Sequence, residues 1–229
     1  MLPILAATGL AGAASLLYEV VWVRELALSL GSTAVAGSTM LSAFLGGLAL
    51  GGWLGGRRAD TAASPMRSLA LVEVGAAVLG AASVPVLGLV GRAYVAIAAA
   101  SGGAPAAAMV LRALFSLVVM LVPATLFGVA FPLASAAAGR LEADGRVAGG
   151  VYAASSFGSA LGAAVGGLLL EPALGLTGAA LVAAALNLAA AGAAAIAARA
   201  DRSGVVPSCA EAPAMTDSPA TADATQGTR

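Results

Sequence analysis

The chain has 229 residues, of which 60% are hydrophobic, 10% charged and 4% aromatic, and its 11 basic residues balance its 11 acidic ones. A soluble domain is about 25% charged and about 45–50% apolar, so a water-soluble globule is excluded, because one this small could not hide so much apolar surface. Every basic residue is Arg, there is no His and the one cysteine is Cys209, which leaves no basic patch for nucleic acid, no usual zinc ligand set and no internal disulfide.

A membrane-crossing helix needs about 20 mostly apolar residues. The sequence predicts six such segments, at residues 2–30, 33–56, 67–100, 106–138, 147–170 and 173–198. Their apolar runs are continuous and rich in Ala, Leu and Gly, whereas membrane strands alternate apolar and polar residues. The first segment lacks a basic leader and is too long for a signal-peptide core, so it reads as a permanent span. The third is expected to break at Pro85, or to be one span followed by a short interfacial helix from near Gly91. Pro123 and Pro132 fall inside the fourth, where a bundle tolerates them as kinks. The fold class is therefore all-α: a polytopic membrane helix bundle of about six transmembrane helices over residues 1–200. Residues 201–229 carry few large apolar side chains and read as a disordered tail.

Orientation follows from arginine. Arg57, Arg58 and Arg67 lie between the second and third segments, Arg140 and Arg146 between the fourth and fifth, and Arg199 and Arg202 after the sixth. The opposite turns, at Gly31-Ser32, 101–105 and Glu171-Pro172, carry none. Loops rich in arginine stay in the cytoplasm, which places both termini there. Arg57 and Arg58 can meet lipid phosphate or the C-terminal helix dipole, and Asp60 can pair with Arg140 or Arg146.

Two glycine ladders recur at four-residue spacing: Gly47, Gly51 and Gly55 in the second segment, and Gly158, Gly162 and Gly166 in the fifth. Glycine lets helix backbones approach closely, within one bundle or between two copies of the chain. The ladders also suggest an internal repeat in which segments one to three match four to six.

The charges inside the segments are the most informative feature. Glu19, Arg24 and Glu25 lie in the first, Glu73 early in the third, Arg92 near its break and Arg112 early in the fourth. A charge in hydrocarbon costs at least ~2.5–3.5 kcal/mol, so each should face the bundle interior and find a partner. Arg112 is expected near Glu19 or Glu25, and Glu73 near the cytoplasmic headgroups or the loop arginines. Three readings remain open: ion pairs that fix helix register, a polar cavity for a cationic or zwitterionic ligand, and proton coupling through Glu19. Tyr18, Trp22 and Tyr152 are candidate cavity walls or interfacial anchors.

The stretch from Tyr18-Glu19 through Trp22 and Arg24, then Gly31-Ser32, the glycine-rich run to Arg57–Asp60, Glu73, Arg112, Pro123, Pro132, Arg146 and residues 151–159 resembles the membrane domain of bacterial multi-pass spermidine-synthase-like proteins, members of the polyamine aminopropyltransferase family fused to a major-facilitator-like bundle. The resemblance covers about residues 5–198. It implies a half-major-facilitator-like bundle in the bacterial inner membrane. It also implies a soluble aminopropyltransferase domain, but no strand–Gly-rich turn–helix unit is present here. No cofactor and no catalytic residue are carried over, and the chain is not expected to be an enzyme on its own. The leading expectation is a membrane protein that binds or moves a small cation such as a polyamine, with Glu19 and Glu73 as contacts and Arg112 as organiser. The alternatives are an anchor for a separately encoded enzyme and a remnant with structure but no activity; a homodimer could supply the other half of a twelve-span assembly.

Overall fold

In lipid the backbone must satisfy its own hydrogen bonds, so the apolar runs have only helix or closed barrel open to them. The computed structural model describes residues 1–30, 33–100, 106–140 and 145–202, and among these every regular element is helical. The elements are α1 (Leu2–Leu30), α2 (Thr33–Thr61), α3 (Pro65–Ala100), α4 (Ala106–Gly139), α5 (Gly145–Val165), a π-helical turn (Gly166–Leu170) and α6 (Glu171–Arg202). Five stretches are long and apolar enough to cross a membrane, and the fifth, Arg146–Ala200, contains α5, the π turn and α6 together. The turns at Gly31-Ser32 and 101–105 and the tail from residue 203 lie outside the described residues.

Two packed pairs organise the bundle, and glycine makes both. A side chain added at Gly51 would strike the Thr125 carbonyl, and one at Gly55 would lie 2.8 Å from the Val129 Cα, so α2 rides on the backbone of α4. Gly158 and Gly162 meet the backbone of Gly9 and Ala13 in the same way, and Gly166 in the π turn meets the Leu17 side chain, so α5 rides on α1. Both ladders are therefore consumed inside the bundle, and neither remains as a face for a second copy. The two pairs correspond under an exchange of α1–α3 with α4–α6, and α1 packs on α6 as α4 packs on α3.

Contact order gives the helix directions. Moving from Gly158 through Gly162 of α5 to Gly166 of the π turn moves up α1 from Gly9 through Ala13 to Leu17, so α5 and α1 run the same way. The first turns of α1 share a core with Ala194 and Ala198 of α6, and its last turns share one with Ala179 and Ala183, so α6 runs opposite. The chain reverses at Gly175, whose φ of 69° and ψ of 178° belong to a region open essentially to glycine alone. The turn expected at Glu171-Pro172 is thus displaced to Gly175: Glu171 is helical and its N–H donates to the Gly166 carbonyl, so the helix runs on past Pro172 before the chain reverses.

The break expected at Pro85 is absent as well. Pro85 is exposed on the outer face of α3, so one lost backbone bond disturbs no packed side chain, and the helix runs unbroken to Ala100. Large apolar side chains such as Leu28, Leu71, Leu111 and Leu168 point outward, each more than two-thirds exposed, as a lipid-facing surface requires.

The backbone contacts predict that Gly51→Ala destabilises the protein in detergent by about 1–3 kcal/mol. Gly52→Ala, on the same helix but facing open space, should leave the melting temperature within about 1 °C of wild type. Thermal unfolding followed by circular dichroism checks both.

Candidate functional site

Helix α3 starts at Pro65, and its buried positions, Met66, Leu69, Glu73, Ala76, Ala77, Gly80, Ser83, Val84 and Leu87, recur every three or four residues. That spacing makes one inward stripe, and Glu73 falls on it. The Glu73 side chain is 1% exposed. Among the described residues its Oε2 has no hydrogen-bond partner and no guanidinium lies within salt-bridge distance of the carboxylate. The expectation that Glu73 reaches headgroups or loop arginines is corrected: the stripe aims it into the bundle, away from both.

Glu73 lines a cavity of about 340 Å³ that lies between the two glycine-sealed pairs. The pair α1–α5 contributes Thr8, Gly12, Ser15, Tyr152, Ser155 and Ser159; the pair α2–α4 contributes Phe44, Leu48, Gly52, Phe127 and Phe131; α3 closes the side with Leu69 and Glu73. Thr8 donates its hydroxyl hydrogen to the Ile4 carbonyl at 2.7 Å, and Ser15 donates to the Gly12 carbonyl at 2.9 Å. Their remaining capacity is to accept. The lining therefore combines a carboxylate, hydroxyl lone pairs and aromatic rings, and it contains no basic side chain. Such a lining suits a donor-rich cation, which aromatic faces also attract.

Of the residues expected as ligand contacts, charge partners or cavity walls, Glu73 and Tyr152 line this cavity. Tyr152 is exposed at its edge and meets Phe131 edge-on at 6.2 Å. Tyr18 and Trp22 are not walls but core. Both are fully buried, and their rings stack on each other at 5.8 Å and on Phe127 at 5.8 and 6.2 Å. The Trp22 indole N–H donates to Ser83 Oγ at 2.7 Å, and the Tyr18 hydroxyl reaches the Ala77 carbonyl at 3.5 Å. Glu19 is half-buried on α1 and does not line the cavity, because the inward face of α1 at this level is taken by Tyr18 and Trp22.

The remaining charges sit near the two ends. Arg24 pairs with Glu171, Nε to Oε1 at 2.8 Å. Arg112 lines a separate cavity with Glu25 and Arg92, not with Glu19. At the arginine-rich end, Arg57 stacks over Trp53 at 4.9 Å. Arg58 and Arg146 are exposed there. The Arg140 guanidinium donates from Nη1 and Nη2 to the carbonyls of Ala63 and Ala62, at 3.1 and 2.7 Å. Asp60 forms no ion pair within 4.0 Å among the described residues; its expected partner Arg140 is held instead by carbonyls left open past the end of α2.

Sequence reasoning gave Glu171 no role beyond a turn and did not single out Asn187. The Asn187 side chain is fully buried, with neither Oδ1 nor Nδ2 bonded among the described residues. It is the only Asn in the chain, and an amide within an apolar span was the available signal. Among the described residues no cluster of His, Cys, Asp or Glu could hold a metal ion. Comparison with family models, curated proteins and solved structures gives no match.

A thiol probe tests the sign of this lining. In a Cys209→Ser background, Ser155→Cys should react faster with a cationic methanethiosulfonate than with an anionic one of similar size. The preference should shrink in Glu73→Gln. Faster reaction with the anionic reagent would contradict the electrostatics described.

Proposed function

We propose that this chain is a six-span membrane protein, with both ends cytoplasmic, that binds and translocates a small cationic amine such as a polyamine through the Glu73 cavity. One observation carries the reading: a carboxylate 1% exposed, with no counter-charge within 4.0 Å among the described residues, borders a cavity that offers acceptors and no cation. Leaving a charge-bearing group buried and unpaired is costly, and a cationic ligand supplies the missing partner. The volume falls in the range of small-molecule sites, about 300–1,000 Å³.

The six-span reading draws support from the opposite directions of α5 and α6 and the reversal at Gly175. With α1–α3 repeated by α4–α6 and three crossings in each half, the halves would be inverted, an arrangement common in transporters with central binding sites. The orientation draws support from arginine. Arg57, Arg58, Arg67, Arg140, Arg146 and Arg199 belong to the end where Ala59, Met66, Ala138, Val147 and Ala198 share a core. The motifs shared with the spermidine-synthase-like membrane domain agree with an amine ligand and with the bacterial inner membrane.

Binding to the purified protein tests this. Putrescine or spermidine at about one hundred times its dissociation constant should stabilise the protein by about 2.7 kcal/mol. Glu73→Gln should fold with a melting temperature no lower than wild type and should lose the response. Glu19→Gln should keep it. A response of equal size in Glu73→Gln would contradict the assignment.

A further inference from the structure

The far end of the bundle carries the opposite chemistry. Arg112 on α4 is 5% exposed. No carboxylate lies within 4.0 Å of it among the described residues. Its guanidinium carbon sits 4.4 Å from the Tyr94 ring centroid, which orients the planar fork without neutralising it. Arg112 lines a cavity of about 490 Å³ together with Arg92 and Glu25. Glu25 is in electrostatic reach of both guanidiniums but forms no ion pair with either among the described residues. A second cavity of about 470 Å³ adjoins it and shares Glu25, Gly88 and Arg92. Gly88 opens this corner: a side chain there would meet Glu25 Oε1 at 3.5 Å and Arg92 Nη1 at 3.9 Å. The other carboxylate of this end, Glu171, is already paired with Arg24.

Two guanidiniums therefore face one carboxylate, and the more buried guanidinium has no anion within 4.0 Å among the described residues. We infer that Arg112 and Arg92 form a binding site for a phosphate-type oxyanion, with Glu25 as the competing anion that sets the strength of binding. A guanidinium fork matches phosphate oxygens two at a time. The flank of the cavity is apolar and outward-facing, with Leu28 78% and Val95 64% exposed. Acyl chains can lie on that flank, so the oxyanion can belong to a phospholipid headgroup; a soluble phosphate presents the same chemistry without needing the flank. The site is separate from the Glu73 cavity, and the layer of Tyr18, Trp22 and Phe127 lies between them.

The test is thermal unfolding of the full chain in detergent, titrated with two probes. One is sodium phosphate against sodium chloride at matched ionic strength. The other is phosphatidylglycerol in mixed micelles, with phosphatidylcholine as the net-neutral control. Wild type should be stabilised saturably by phosphatidylglycerol. Arg112→Gln and Arg92→Gln should each weaken the apparent affinity by about tenfold or more, and Glu25→Gln should strengthen it. Stabilisation by phosphatidylglycerol alone assigns a lipid headgroup, and stabilisation by inorganic phosphate as well assigns a soluble oxyanion. If Arg112→Gln does not fold, Arg92→Gln and Glu25→Gln, at less buried positions, carry the comparison through their opposite signs. Equal responses from wild type and these variants, or no saturable response to either probe, would overturn the inference. The amine response of the Glu73 cavity is read in the same samples and should not change.

Discussion

Bare backbone against bare backbone is the contact on which this bundle depends. Between helices in lipid the hydrophobic effect offers no net attraction, since acyl chains are as apolar as leucine, and close dispersion contact must replace it. Gly51 on Thr125 and Gly158 on Gly9 provide that contact, one for each pair of helices. Because the pairs α2–α4 and α1–α5 are drawn so tight, the space left over collects between them. Glycines that seal the pairs also border that space, with Gly12 and Gly128 in its lining. Packing and cavity are two consequences of where side chains are missing.

The charges then divide by depth. Glu73 lies on the inward stripe of α3, beside a cavity rich in acceptors. Arg112 and Arg92 lie beyond the aromatic layer, beside cavities that contain a single carboxylate, Glu25. Tyr18 and Trp22 join these regions mechanically. Their polar atoms are tied to α3 at Ala77 and Ser83, and their rings press on Phe127 of α4. In the reading proposed here, a cation meets Glu73 on one side of that layer and an oxyanion meets the guanidiniums on the other. A solute that passed from one end to the other would have to move the stack aside.

Much of the architecture was legible in the sequence because composition alone forces it. Long apolar runs have no option but helix, and glycine at four-residue spacing marks a close contact whatever its partner. The places where the sequence misled are local. Pro85 looked like a break, but it faces outward and costs no packing. Glu171-Pro172 looked like a turn, but the reversal falls at Gly175, where glycine takes a positive φ. The site was less legible than the fold. Tyr18, Trp22 and Glu19 are close in sequence to charged neighbours, which suggested a common cavity, yet a helix turns residues 18 and 19 by about 100° from each other. Two aromatics went into the core and the glutamate did not follow. Glu73 could have been placed from its register with Leu69, Ala76, Ala77 and Gly80. Which helices face it could not, because helix order around a bundle is a property of tertiary packing.

The claim that matters most is that the unpaired carboxylate is the contact for a moving cation. Its most direct test is uptake of radiolabelled spermidine by proteoliposomes that hold equal amounts of folded wild type or Glu73→Gln. The account predicts uptake above empty liposomes for wild type and none above that background for the variant. Uptake by Glu73→Gln vesicles at the wild-type rate would contradict it.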